Sequence, residues 1–274
     1  MSPSRLRDAH RVLRDIHGLL MDMDGVITRG QQALPGAPAF FDFLRARAIP
    51  FVLVTNNSSR TVQQVQETLA HMGIAVAVDE ILTSAQATAL YLRERAPAGA
   101  RVLPVGEEGL RAALREAGFT LVEQRPADYV VAGIDWHLTY DTLKRACLAI
   151  RDGAIFIGTN PDRTFPSEEG IVPGAGSILA ALATCTGVEP VVIGKPALPI
   201  IELALQRLGV PAEHVAFVGD RLETDILAGQ RAGLLTILVL TGVTRREDLA
   251  ASDIAPDLVV ENLVELQRAW ELDS

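Results

Sequence analysis

The chain has 274 residues, enough for one large domain or two modest ones, and 49% of them are hydrophobic, which supplies a core and excludes disorder. Net charge is −9 and the pI is about 5.1, which excludes the basic face a nucleic-acid binder needs and suits an acidic metal pocket. Cys147 and Cys185 are the only cysteines, too few for a disulfide framework or a zinc-ligand pattern.

Ser4 to His17 is charged throughout, without an apolar signal-peptide core, and Ser4 to Ile16 reads as a short helix. Leu19 to Met21 is a short buried strand that ends abruptly in Asp22-Met23-Asp24-Gly25-Val26. Pro35 and Gly36 open a helix through Arg47. Pro50 to Thr55 is a second strand, followed by Asn56-Asn57-Ser58. Ser59 is placed to cap a helix over Thr61 to His71, where the histidine suits the negative helix end and Gly73 stops the chain. Ile81 to Thr83 is a third strand, and the alternation predicts a parallel sheet.

The middle is also α/β. Strands are predicted over Arg101–Val105, Tyr129–Gly133 and Ile155–Gly158, with helices over Gly109–Ala117, Tyr140–Arg151 and Ser177–Cys185. Gly170 to Gly176 is turn-rich, and Cys147 and Cys185 fall in helical patterns and are expected in the core. In the last third, a strand over Val191–Ile193 leads to Gly194-Lys195-Pro196, and Pro199 to Leu208 is helical. Val215 to Val218 delivers Gly219-Asp220 before a helix from Thr224 to Ala232. Leu235–Leu240 and Leu258–Val260 are further strands, and Trp270 anchors a last helix. Leu234 to Leu240 is far short of the ~18 residues of a membrane span. With no membrane segment and no targeting address, the expected setting is reducing and cytoplasmic.

Four polar strand ends follow one another: Asp22/Asp24, Thr55-Asn56-Asn57, Gly194-Lys195, and Gly219-Asp220 with Thr224-Asp225. Ends of parallel strands meet on one edge of a sheet, where ligands bind. Taken singly, Thr55-Asn56-Asn57 also reads as a turn, Lys195 as a solvated loop lysine, and Thr224/Asp225 as a helix cap. Together, converging carboxylates demand a hard cation, and Mg²⁺ prefers few carboxylates plus a phosphate oxygen. A lysine and a hydroxyl beside backbone N–H groups suit an oxyanion. The sum is an Mg²⁺-assisted phosphoryl-transfer site, in which one aspartate attacks phosphorus and the other moves protons.

Asp22-Met23-Asp24-Gly25-Val26, Thr55-Asn56-Asn57-Ser58, Gly194-Lys195-Pro196 and Gly219 to Ile226 resemble the four motifs of the haloacid dehalogenase superfamily. The details are similar to its subclass IIA, the NagD-like group that includes p-nitrophenyl, phosphoglycolate and pyridoxal phosphate phosphatases. The resemblance implies a Rossmann-like α/β core with an inserted α/β cap, divided as 1–83 (core, first part), 84–188 (cap) and 189–274 (core, second part). It implies that Asp22 is the nucleophile and Asp24 the general acid/base. Mg²⁺ would be held by Asp22, the Asp24 backbone carbonyl and Asp220, with Gly219 and Asp225 in support. Thr55, Asn56 and Asn57 would hold phosphoryl oxygens, and Lys195 would neutralise the nucleophile and phosphate. The implied partner is a small phosphomonoester of the p-nitrophenyl phosphate, phosphoglycolate, sugar phosphate or nucleotide type. Relatives often pair through the cap, which leaves a homodimer open.

A phosphomutase or phosphotransferase would use the same two aspartates, and a phospho-accepting signalling module would use a similar set without turnover. Selectivity is expected in the cap, in Thr159 to Ser167, with Phe165 facing the leaving group or else packing the cap. His137, in Asp135-Trp136-His137, reads as a capped loop or a substrate contact.

Overall fold

Short runs of large apolar and β-branched residues, such as Phe51-Val52-Leu53-Val54 and Val215-Ala216-Phe217-Val218, are buried along their whole length. A strand apolar on both faces can only be stable where both faces are covered, which is the condition of a parallel sheet between helices. The computed structural model describes residues 9–271 except 11 and 168, so the expected helix Ser4–Ile16 begins outside the described residues; 9, 10, 12 and 13 are helical.

The early strands are β1 (Gly18–Met21), β2 (Thr28–Arg29), β3 (Gln32–Ala33), β4 (Phe51–Thr55) and β5 (Ile81–Thr83). The middle holds β6 (Arg101–Val105), β7 (Thr120–Leu121), β8 (Tyr129–Ala132), β9 (Ile155–Gly158), β10 (Thr164–Ser167), β11 (Gly170–Pro173) and β12 (Val191–Val192). β13 (Val215–Gly219), β14 (Leu235–Val239) and β15 (Leu258–Val260) complete the set. The chain divides into two compact units: Met1–Thr55 with Gln66–Ile81 and Ile201–Ser274, and Asn56–Val65 with Leu82–Ile200.

The first unit is built on a six-stranded sheet of order β15-β14-β13-β1-β4-β5. β1 pairs in parallel with both β4 and β13, and β13 with β14. From β1 the chain moves outward through β4 and β5 on one side, then returns to build β13, β14 and β15 on the other. The strand order therefore reverses at β1, and such a reversal opens a crevice beyond the carboxyl ends of the strands. The helix Ala37–Ala46 buries Phe40, Phe41, Phe43 and Leu44. Trp270, on the helix Leu263–Glu271, lies with its ring centroid 6.1 Å from that of Phe43, which fits the expected anchor.

The second unit carries a five-stranded parallel sheet of order β12-β9-β8-β6-β7. Its core joins Val105, Val130 and Phe156 to Ile150, Leu179 and Leu182 on the helices Tyr140–Arg151 and Ala175–Thr186. The Arg101 side chain beside Asp128 holds that carboxyl below its ordinary range and ties the starts of two neighbouring strands.

Several local expectations are corrected. Thr61, not Ser59, caps the helix Val62–His71: its Oγ1 accepts the Gln64 N–H at 3.2 Å, and Gln64 Oε1 accepts the Thr61 N–H at 3.0 Å. β12, which precedes Lys195, pairs with β9 in the second sheet, so its end does not belong to the row formed by β1, β4 and β13. The turn-rich Gly170 to Gly176 instead begins with one arm of an antiparallel hairpin, β10–β11. Cys185 is exposed, because its helix turns that face to solvent, whereas Cys147 packs partly buried against the core. Among the described residues no helix is long and apolar enough to cross a membrane.

Candidate active site

In the first unit the register fixes what stands beside what. Met21 lies opposite Leu53 of β4 and Val218 of β13, and the Asp22 N–H donates to the Val218 carbonyl at 2.9 Å. Asp22 therefore leaves β1 at the switch point, with β4 ending in Thr55 on one side and β13 running into Gly219-Asp220 on the other. Asp22 is 8% exposed, and Asp220 and Asp225 are each 1% exposed. Each of the three offers a carboxylate oxygen, and these oxygens lie within 4.8 Å of one another. Three buried carboxylates that close repel strongly unless a cation or protons sit among them.

The supporting loops hold this arrangement. Asp225 Oδ2 accepts the N–H groups of Asp220 and Arg221, each at 3.1 Å, so it orients the turn that presents Asp220. The chain from Leu222 to Ile226 is wound as a single π-helical turn, with the Ile226 N–H reaching back to the Arg221 carbonyl at 3.2 Å. Such turns recur at functional sites because they re-aim side chains. Asp220 Oδ2 accepts the Val243 N–H at 2.6 Å, which fixes its carboxylate from the loop after β14. A Cβ on Gly25 or Gly242 would overlap that carboxylate, and Gly25 also has φ of +87°, so both positions require glycine. A Cβ on Gly219 would overlap Asp225. This donor set, all hard oxygens in a cradle bounded by glycine backbone, fits Mg²⁺.

Asp24 is separate from that trio. It is exposed, and its Oδ1 accepts the Thr28 hydroxyl at 3.3 Å. Thr55, at the end of β4, is 4% exposed.

The second unit holds the remaining expected residues. Lys195 is 2% exposed and so is not a solvated loop lysine. Asn56 Oδ1 accepts the Lys195 N–H at 2.9 Å, and Asn56 Nδ2 donates to the Lys195 carbonyl at 3.0 Å. The same Nδ2 donates to both oxygens of Asp162, at 3.2 and 3.1 Å. Asn57 Oδ1 accepts the N–H and the hydroxyl of Ser59, closing a tight turn. Phe165 is half-buried, and its ring meets the exposed Trp136 edge-on, with centroids 5.3 Å apart. His137 is exposed and donates its N–H to Asp135 Oδ1 at 2.9 Å, which is the capped loop. Gly242 has no role in the sequence pattern, although a glycine three residues beyond β14 is the available signal, and Asp162 belongs to the Thr159 to Ser167 stretch without a role of its own there.

Residues 19–120 match a family model described as haloacid dehalogenase-like hydrolase, and residues 192–266 match one described as HAD-hydrolase-like. The chain belongs to the haloacid dehalogenase-like hydrolases, in their NagD-like subclass IIA, and is a phosphatase, a phosphoric monoester hydrolase. An acid sugar phosphatase of Staphylococcus aureus (strain USA300) is 43% identical over 241 residues, covering 88% of this chain and 93% of that protein. The crystal structure of a 4-nitrophenylphosphatase from Thermotoga maritima is similar with a TM-score of 0.91 at 40% identity, covering 96% of this chain and all of that one (100%). A glycerol phosphate phosphatase from Mycobacterium tuberculosis, solved in complex with magnesium, is similar with a TM-score of 0.87 at 36% identity, covering 93% of this chain and 77% of that one.

Proposed function

We propose that this chain is a Mg²⁺-dependent phosphatase of small phosphomonoesters that works through a phosphoaspartate on Asp22. The observation that carries this reading is the buried trio of Asp22, Asp220 and Asp225 at the switch point of the sheet. The carboxylates of Asp22 and Asp220 and the backbone carbonyl of Asp24 would hold the ion, with Asp225 and Gly219 shaping the turn behind Asp220. Bound there, Mg²⁺ supplies positive charge to offset the phosphate and the crowded carboxylates.

Asp22 attacks phosphorus; the new bond from its carboxylate oxygen forms as the bond to the alkoxide leaving group breaks. Asp24 gives its proton to the departing oxygen. As a carboxylate, Asp24 then takes a proton from the water that attacks the phosphoaspartate, which frees inorganic phosphate and restores Asp22. The Thr55 hydroxyl and the backbone of the Asn56-Asn57 stretch hold phosphoryl oxygens, and Lys195 adds a positive charge. The exposure of Asp24 supports its part, because a proton carrier must exchange with water, whereas burial of Asp22 suits an anion used as a nucleophile.

The 105-residue segment 84–188 is proposed as the cap, with Phe165 and its partner Trp136 as the contact that selects the leaving group. The names of the relatives support sugar phosphates and glycerol phosphate as the first substrates to try. The test is steady-state release of phosphate from p-nitrophenyl phosphate and from a panel of sugar, polyol and nucleotide phosphates, with and without Mg²⁺. Many turnovers that need Mg²⁺ are expected. A single stoichiometric labelling without turnover would overturn the proposal.

A further inference from the structure

The amide of Asn56 is used in full. Its two N–H bonds go to the Lys195 carbonyl at 3.0 Å and to the Asp162 carboxylate at 3.1 and 3.2 Å, while its oxygen takes the Lys195 N–H at 2.9 Å. The orientation of the amide is fixed by its partners, because the flipped form would set its oxygen against a carbonyl and a carboxylate. Asn56 thus pairs with both polar groups of Lys195's backbone, as a neighbouring strand would. Asp162 is itself held by the Asn160 Nδ2 at 3.0 Å, and Asn160 Oδ1 accepts the Thr159 hydroxyl at 2.8 Å. The backbone around the clamp is tied as well: the Ser84 hydroxyl donates to the Asn56 carbonyl at 2.7 Å, and the Gly194 N–H to the Thr159 carbonyl at 2.8 Å. A Cβ on Gly194 would come within 2.7 Å of Asn56 Oδ1, so only glycine lets the amide sit this close to the lysine's backbone.

We infer that Asn56 and Asp162 form a clamp on the backbone of Lys195 and that Asn56 is a positioning residue acting through that lysine, not a side-chain ligand of the phosphoryl group. The inference rests on the proposed role of Lys195 as a positive charge for phosphate. Lysine is a point charge on a flexible stem, so its use depends on where its backbone is held. Asp162 accepts from the amide with a charged acceptor, the stronger kind of hydrogen bond, and so keeps the amide turned toward Lys195.

A double-mutant cycle decides the matter. Asn56→Ala and Asp162→Ala are each made in the natural chain and in Lys195→Met, which keeps the side-chain bulk without the charge. Asp162→Ser is carried in parallel in case the alanine variant does not fold. The readouts are kcat/KM on p-nitrophenyl phosphate, calorimetric affinity for inorganic phosphate in Mg²⁺, and the melting temperature. In the natural chain each clamp variant should lower kcat/KM by roughly 10- to 100-fold, the scale of a small misplacement of a catalytic group, and weaken phosphate binding in the same direction. In Lys195→Met the same changes should cost less than about twofold, because groups that act through one another are not additive. The phosphate affinity closes the cycle if Lys195→Met is too slow to assay. If Lys195→Met is impaired and the cost of Asn56→Ala persists in it, the clamp is overturned and Asn56 contacts phosphate itself. If Lys195→Met turns over like the natural chain, the functional reading of the lysine falls instead. A lowered melting temperature with unchanged kcat/KM would reduce the clamp to a packing feature.

Discussion

Asp22 and Asp24 are two residues apart in sequence and opposite in environment: one is buried among carboxylates, the other is exposed beside Thr28. That difference sets different expectations for them. Asp22→Asn keeps the volume and removes the nucleophile, so turnover should fall by roughly 10⁴-fold or more with an unchanged circular dichroism spectrum; substantial residual turnover would refute the assignment. Asp24→Asn should cost alkyl esters about 10²- to 10⁴-fold and p-nitrophenyl phosphate far less, since nitrophenolate leaves with little protonation. Equal losses for both esters would exclude Asp24 as the acid. Gly242 offers a test that replaces no carboxylate. Gly242→Ala would push into Asp220, so the Mg²⁺ concentration for half-maximal activity should rise about 10-fold or more, as for other disturbances behind a metal ligand. An unaltered Mg²⁺ titration would show that Asp220 is not held for the ion.

At the scale of elements, the helix Leu263–Glu271 is a short segment near the end of the described chain, and such a segment is stable only if something docks it. Trp270, 7% exposed and with its ring beside that of Phe43, is the largest of the apolar side chains the helix buries. Trp270→Ala should lower unfolding stability by about 3 kcal/mol, read from the urea midpoint with an unchanged slope. A loss below about 1 kcal/mol would mean that the helix is held by Leu263 and Leu266 instead. The long, periodic helices and the apolar strands were legible in the sequence, because each meets a strong pattern over several residues. Besides the hairpin β10–β11, whose turn-forming residues hide its two strands, the unread elements are of two kinds. β2, β3 and β7 are two-residue strands, too short for any periodicity. The helix Ser84–Arg93 was overlooked despite its signature, Thr83 accepting the Gln86 N–H at 3.1 Å in a capping box.

The whole molecule should register the ion as well as the reaction. Three buried carboxylates within 4.8 Å destabilise the metal-free fold, so Mg²⁺ at 100 times its dissociation constant should add about 2.7 kcal/mol and raise the melting temperature, with EDTA reversing it. In Asp220→Asn the Mg²⁺-induced rise should vanish while the metal-free protein melts no lower than the natural chain. A melting temperature indifferent to Mg²⁺ in the natural chain would remove the case for a metal at the trio.

The sequence by itself determined the strand ends that lead into Asp22 and Asp24, Thr55 and Asp220, because polar groups at the end of an apolar strand have few other uses, and motif spacing, which also points to Asp225 in the turn after β13, survives without a structure. It determined the α/β class for a similar reason: alternating apolar strands and amphipathic helices can bury both faces of a sheet in few ways. Only the tertiary structure decided which strands stand together. The sequence put β12 in one row with the other polar strand ends; pairing placed it beside β9, and long-range pairing leaves no local trace. Only the tertiary structure separated the two motif asparagines, giving the amide of Asn56 to Lys195 and Asp162 and the oxygen of Asn57 to Ser59. Those bonds from Asn56 join residues 106 and 139 positions apart, a distance over which composition and periodicity carry no information.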